Sequence, residues 1–312
     1  MNQQKTLTVV ALSLLIGVLA ATPVLATNSF SPWGPASSLE SVPGTSSELN
    51  SPYLDGCPML SRDGRQLYMA SDRPGGLGGL DIWVAERTGP DGPFGAPVNL
   101  GAPINSPYND FCPSPLQDGH KFMFVSNRPG GCGGSDIYLT RRHKDEWEEP
   151  VNLGCEVNSS ADEAGPVLSF AKPGPPTLYF SSTRTGGLGG SDLYQSRKAD
   201  SWSFDPAEPV SGANSTYDDM QPSVRHDGRE LVFASNRPGG QGGFDIWSAS
   251  RDSTPDAWSA PVNLGPNVNS PANETRPSLS WKATTLLFGS NRPGGEGGSD
   301  IYFTTRDKDS GH

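Results

Sequence analysis

One glycine-rich stretch occurs five times along the chain, and it constrains the fold more than any other feature. Its last copy is Ser290-Asn291-Arg292-Pro293-Gly294-Gly295-Glu296-Gly297-Gly298-Ser299-Asp300-Ile301-Tyr302. The other copies begin at Ser71, Ser126, Ser182 and Ser235, so successive starts lie 55, 56, 53 and 55 residues apart. Self-similarity at such a period marks a repeat architecture, in which each unit buries its apolar face against its neighbours.

The second copy gives one full unit. Asp110-Phe111-Cys112-Pro113 leads into a first strand, Ser114 to Leu116, and Asp118-Gly119 signals a turn. Lys121 to Ser126 alternates as a second strand, the Gly-rich loop follows, and Asp136 to Thr140 reads as a third. Trp147 to Leu153 supplies the fourth, and the same spacing recurs from Phe94 to Leu100, Trp258 to Leu264 and, looser, Trp202 to Val210. With 38 Gly and 30 Pro among 312 residues, short strands and tight turns fit better than helices. The expected fold is all-β: a five-bladed β-propeller of four-stranded antiparallel blades.

The ends decide how the ring closes. The last unit stops after a third strand, Ile301 to Thr305, whereas Trp33 stands six residues before Leu39, as in a fourth strand without a blade of its own. Closure by this N-terminal strand joining the last blade removes the exposed sheet edges. The domain reading is 1–26 as a signal peptide and 27–312 as one propeller, with blades at about 53–100, 108–153, 161–210, 217–264 and 272–306 plus the closing strand 32–39.

The signal peptide reading rests on Lys5, the apolar run Thr6 to Ala20, and the small residues of Val24-Leu25-Ala26, with cleavage near Ala26. The run is short for a bilayer span and Pro23 follows it. A secreted or periplasmic location is expected, with no membrane span in the mature chain. The net charge of −11 offers no basic stripe for nucleic acid or for an anionic membrane.

The pattern x-Pro-x-Leu-Ser-x-Asp-Gly, an apolar strand, Ser-Asn-Arg-x-Gly-Gly and Asp-Ile-Tyr resembles the TolB-like (WD40-like) β-propeller repeat from about Pro32 to Arg306. Thr185 departs from it where the other loops have Pro, and Lys172-Pro173-Gly174 and Trp281-Lys282-Ala283 stand where Asp-Gly turns are expected. The resemblance implies a non-catalytic interaction domain. Fold alone does not fix function.

Five arginines (Arg73, Arg128, Arg184, Arg237, Arg292) and five strand-three aspartates (Asp81, Asp136, Asp192, Asp245, Asp300) recur at equivalent places. So does an acid three residues before each strand-one Pro: Asp55, Asp110, Glu163, Asp219 and Glu274. Catalytic sites are asymmetric, so fivefold recurrence favours structure: the aspartates accept turn N–H groups, and arginine forks hold carboxylates across adjacent blades. Arg128 is expected to pair with Asp110 or Glu163. The same face carries Asn105, Ser106, Tyr108, Asn109, Asn158, Tyr217, Asp218, Asn269 and Asn273, a polar rim suited to a protein or glycan partner.

A glycoside hydrolase on this face needs a pair of carboxylates, and Asp55, Asp110, Asp218, Asp219 and Glu274 are its candidates, with nothing that singles out a pair. The histidines His120, His143, His226 and His312 lack metal-ligand spacing. No cofactor is expected. The Asp-rich rim leaves room for Ca²⁺, although no Asp-x-Asp-x-Asp-Gly loop occurs. In an exported protein an even count of four cysteines permits disulfides, with four free thiols as the alternative, and Cys57–Cys112 with Cys132–Cys155 is the preferred pairing of three. The expectation is an exported, monomeric, non-catalytic binding or scaffold module, with a lectin-like glycan binder or a hydrolase as alternatives.

Overall fold

A computed structural model describes residues 30–308, apart from Asp145 and Ser201. Residues 1–26, read above as a signal peptide, and His312 lie outside the described residues. Five antiparallel sheets form a five-bladed β-propeller. The first blade runs Asp55–Leu60, Gln66–Ser71, Asp81–Glu86 and Val98–Asn99, and the next three repeat that order. In the fifth, the strands Glu274–Leu279, Thr285–Ser290 and Asp300–Thr305 are completed by Ser37–Ser38 from the other end of the sequence. Ser37 faces Phe303 and Ser38 faces Tyr302, which is the closure expected.

Two strands differ from the sequence reading. Strand one begins at the acid itself, as in Asp110–Pro115, because a bulge accommodates the Cys-Pro pair that otherwise reads as a strand breaker. All five first strands slip register at this point. Strand four shrinks to two residues, Val151–Asn152 in the second blade, where Glu146–Trp147 instead forms a hairpin with the long third strand Asp136–His143.

The core is divided among the five blade interfaces. Tyr68, Ile82, Ile104, Phe122, Phe124 and Tyr138 fill the first interface, and Leu39, Leu67, Trp83, Leu287 and Ile301 fill the one that closes the ring. Phe124, Phe180, Phe233 and Phe288 occupy the same strand-two position and are fully buried. Full burial of each Phe contributes about 1.5–3 kcal/mol by removing its apolar surface from water. The strand-four aromatics Trp33, Phe94 and Trp258 are buried beneath Arg306, Arg87 and Arg251, at 4.1, 4.3 and 4.0 Å from the ring centres. In the third blade Phe204, not Trp202, takes the buried slot, and it too lies six residues before Val210.

Candidate functional site

The Gly-rich loops and the connections between blades form one face, and its polar groups are turned on one another. Arg128 donates to Asp110 at 2.7 Å, and the equivalent pairs are Arg73–Asp55, Arg184–Glu163, Arg237–Asp219 and Arg292–Glu274. Each pair lies within one blade, which corrects the expectation of links between neighbouring blades. The arginine at the end of strand two reaches the acid that starts the adjacent strand one. The blade-to-blade tie runs instead through the backbone, because Arg128 also donates to the Ile104 carbonyl of the incoming connection at 2.6 Å.

The five carboxylates are wholly buried. Asp110 also accepts the Ser106 N–H and hydroxyl, each at 2.7 Å, which leaves little lone-pair capacity for a ligand. Four of the five acids named for hydrolysis are therefore committed, and Asp218 accepts the Ser191 N–H at 3.1 Å. Among the described residues no three His, Cys, Asp or Glu side chains gather to hold a metal ion.

The strand-three aspartates accept N–H groups of the Gly-rich loops, as in Cys132 N–H to Asp136 at 2.7 Å. Burial pushes the Asp192, Asp245 and Asp300 carboxyls above their ordinary value, against the lowering effect of those N–H bonds. The glycines are needed for proximity: a Cβ on Gly78 would collide with the Tyr108 carbonyl, and one on Gly76 with the Asp81 carboxylate.

Asn105, Asn158 and Asn269 are buried, so they do not form a rim. With Asn50 and Asn214 they make a column that bonds the backbone of strand three in the preceding blade. Asn109 and Asn273 accept the Leu80 and Phe244 N–H groups, each at 2.9 Å. The exposed large apolar side chains of this face are Tyr53, Tyr108 and Tyr217, at 42%, 43% and 44% exposure, with Leu77 and Leu188 on the loops.

The channel holds a second group. The residues before the strand-one prolines, Cys57, Cys112, Gly165, Gln221 and Arg276, all have positive φ, from 48° to 61°. They line one cavity with those prolines. Cys57 is joined to Cys112 across neighbouring blades, with Cα atoms 4.9 Å apart. Cys132 is joined to Cys155 between a loop and the next connection, at 5.7 Å. Gln221 and Arg276 escape a residue-by-residue reading; stacking the five repeats in register would have placed them beside the two cysteines. At the opposite mouth, Trp281 is held between Arg62, 4.6 Å above its ring, and His226, 4.9 Å between centroids.

The fold can now be set beside known structures. TolB from Acinetobacter baumannii superposes with a TM-score of 0.50 at 12% identity, over 83% of this chain and 55% of TolB. An α-L-arabinofuranosidase from Lactobacillus brevis gives 0.55 at 14%, over 85% of this chain and 93% of that one. A GH62 hydrolase in complex with xylotriose gives 0.54 at 10%, over 90% and 98%. The likeness is one of fold.

No family model matches the sequence, and no curated protein matches it. The hydrolases correct the expectation of a chain without enzymatic activity: the same ring houses glycoside hydrolases, so this architecture is compatible with catalysis. Among the described residues no helix is long and apolar enough to cross a membrane.

Proposed function

We propose that the chain is an exported binding module whose loop-rich face docks a protein partner. One observation carries this reading. The recurring acids, arginines and buried asparagines of that face are bonded within the scaffold, while Tyr53, Tyr108, Tyr217, Leu77 and Leu188 are its exposed large apolar side chains. The loop bearing Leu77 abuts the Tyr108 connection through Gly78, and the loop bearing Leu188 abuts the Tyr217 connection through Gly189. Tyrosine beside apolar side chains on rigid loops is the composition of interface hot spots. The two cysteine pairs fit an oxidising compartment.

The test places a photo-crosslinking residue at Tyr108, Tyr217 or, as control, Val262 on the outer edge, and irradiates the protein in native envelope or culture fluid. A protein adduct specific to the two tyrosine positions supports the reading. Adducts equal at Val262 reject it. A glycan array run in parallel reports the lectin alternative, since three equivalent tyrosines could each carry one sugar; selective sugar binding lost on Tyr108→Ala would replace the protein-docking reading.

A further inference from the structure

The ring of residues before the strand-one prolines is chemically lopsided. Cys57 and Cys112 satisfy each other, and Gly165 has no side chain. Gln221 and Arg276 complete the ring from adjacent blades. Gln221 Oε1 accepts the Arg276 backbone N–H at 3.1 Å, which leaves the carboxamide NH₂ as its free donor. The Arg276 guanidinium pairs with no carboxylate among the described residues, and its Nε is buried without a partner. Every arginine of the loop face, by contrast, has a buried acid.

A guanidinium with no acid partner and its Nε cut off from solvent is expensive. This one also sits on left-handed backbone at φ 56°, a conformation costly for any side chain with a Cβ. Its Nη1 occupies the place that a Cβ on Gly56 would need, so the side chain lies against the inner strand of the neighbouring first blade. The geometry points to an anion site in the channel that takes a single carboxylate group, gripped by the Arg276 fork and flanked by the Gln221 amide. This site is separate from the loop face and does not depend on the docking proposed there.

Three features select a carboxylate. The guanidinium fork matches two coplanar oxygens. The cavity holds about 30 Å³, room for one or two water-sized groups, which suits the two oxygens of a carboxylate better than the four of a phosphate. Its wall is proline and disulfide with no acid, so one positive charge balances one negative charge in a poorly polarisable setting. Gln221 and Arg276 are only half-buried whereas Cys57 and Cys112 are buried, so the site is open on the side of the two polar residues. The carboxylate is supplied by a free small acid or by the terminus of a peptide threaded into the channel.

Calorimetric titration of the purified chain with sodium formate, at ionic strength matched with sodium chloride, tests this. One saturable site is expected, weakened about tenfold or more in Arg276→Gln, as befits loss of a charge-assisted hydrogen bond. A peptide with a free C-terminal carboxylate that displaces formate, where its amidated twin does not, assigns the peptide source; equal failure of both peptides assigns the free acid. No saturable formate binding, binding unchanged in folded Arg276→Gln, or phosphate binding in preference to formate overturns the site. Should Arg276→Gln not fold, the Arg276 Nε–H resonance, identified by its absence in Arg276→Lys, is the readout. Formate must shift it, and an unmoved resonance overturns the proposal.

Discussion

The side-chain oxygen of Asn50 accepts the backbone N–H of Ile301 at 2.8 Å, joining the connection that enters the first blade to the last blade. Asn269 does the same for Ile246, and its nitrogen returns a bond to the Ile246 carbonyl at 3.0 Å. Replacing Asn269 by Leu strands the buried Ile246 groups. The expected cost is about 1–3 kcal/mol in urea unfolding. An unchanged midpoint would show the asparagine column to be incidental.

Removing one side of a buried ion pair leaves a charge without compensation. Arg237→Gln, which abandons the fully buried Asp219, should cost about 3–5 kcal/mol. Lys121→Ala breaks the partly exposed pair with Asp118 and should cost under about 1 kcal/mol. Comparable losses from both would refute the assignment of the first pair to the scaffold.

Two glycines separate crowding from backbone strain. Gly101 has φ 67° with nothing within 4 Å of an added Cβ, so Gly101→Ala should cost about 1–2 kcal/mol. At Gly78 the added Cβ meets the Tyr108 carbonyl, and Gly78→Ala should cost about 3 kcal/mol or more. The reverse ranking in thermal melts would mean that the loop is not packed on the connection.

Deleting residues 30–45 removes Trp33, Leu39 and the strand that closes the ring. Loss of a buried Trp alone costs about 3–5 kcal/mol, which in a domain of this size corresponds to a fall of roughly 10 °C or more in melting temperature. An unaltered melt would sink closure by this strand.

Asp300 carries a pH signature. Burial raises its pKa in the folded state, so the folded chain binds protons more readily than the unfolded chain. Stability contributed by this group therefore falls as pH rises from its ordinary value, 3.8, through the raised one. Relative to Asp300→Asn, the wild type should gain stability as pH is lowered from neutral into that window. A difference independent of pH would contradict the shift.

The repeat was legible because each copy carries its own turn chemistry and apolar strand, and the orphan fourth strand at Trp33 gave away the closure. The rim was harder to judge. Asn105 and Asn109 are both polar loop residues in sequence, yet one is buried against Ile82 and the other is partly exposed where it caps the Leu80 N–H; only the path of the chain distinguishes them. The pairing of Arg128 with its own blade's Asp110 follows from strand one lying beside strand two, a neighbour relation that composition does not encode. Arg276 was invisible for a different reason. Its position recurs in every repeat, but its meaning arises from missing partners in three dimensions, which a single sequence does not display.

The fifth blade takes its outer strand from Ser37–Ser38 and its other three from the far end of the sequence. During synthesis, the strand made earlier must therefore wait for the three strands made after it. Until Asp300–Thr305 emerges, two blade faces remain wet and the ring cannot lock. Ring closure is therefore the late, cooperative step of folding, held back until strands encoded far downstream of Ser37–Ser38 are in place.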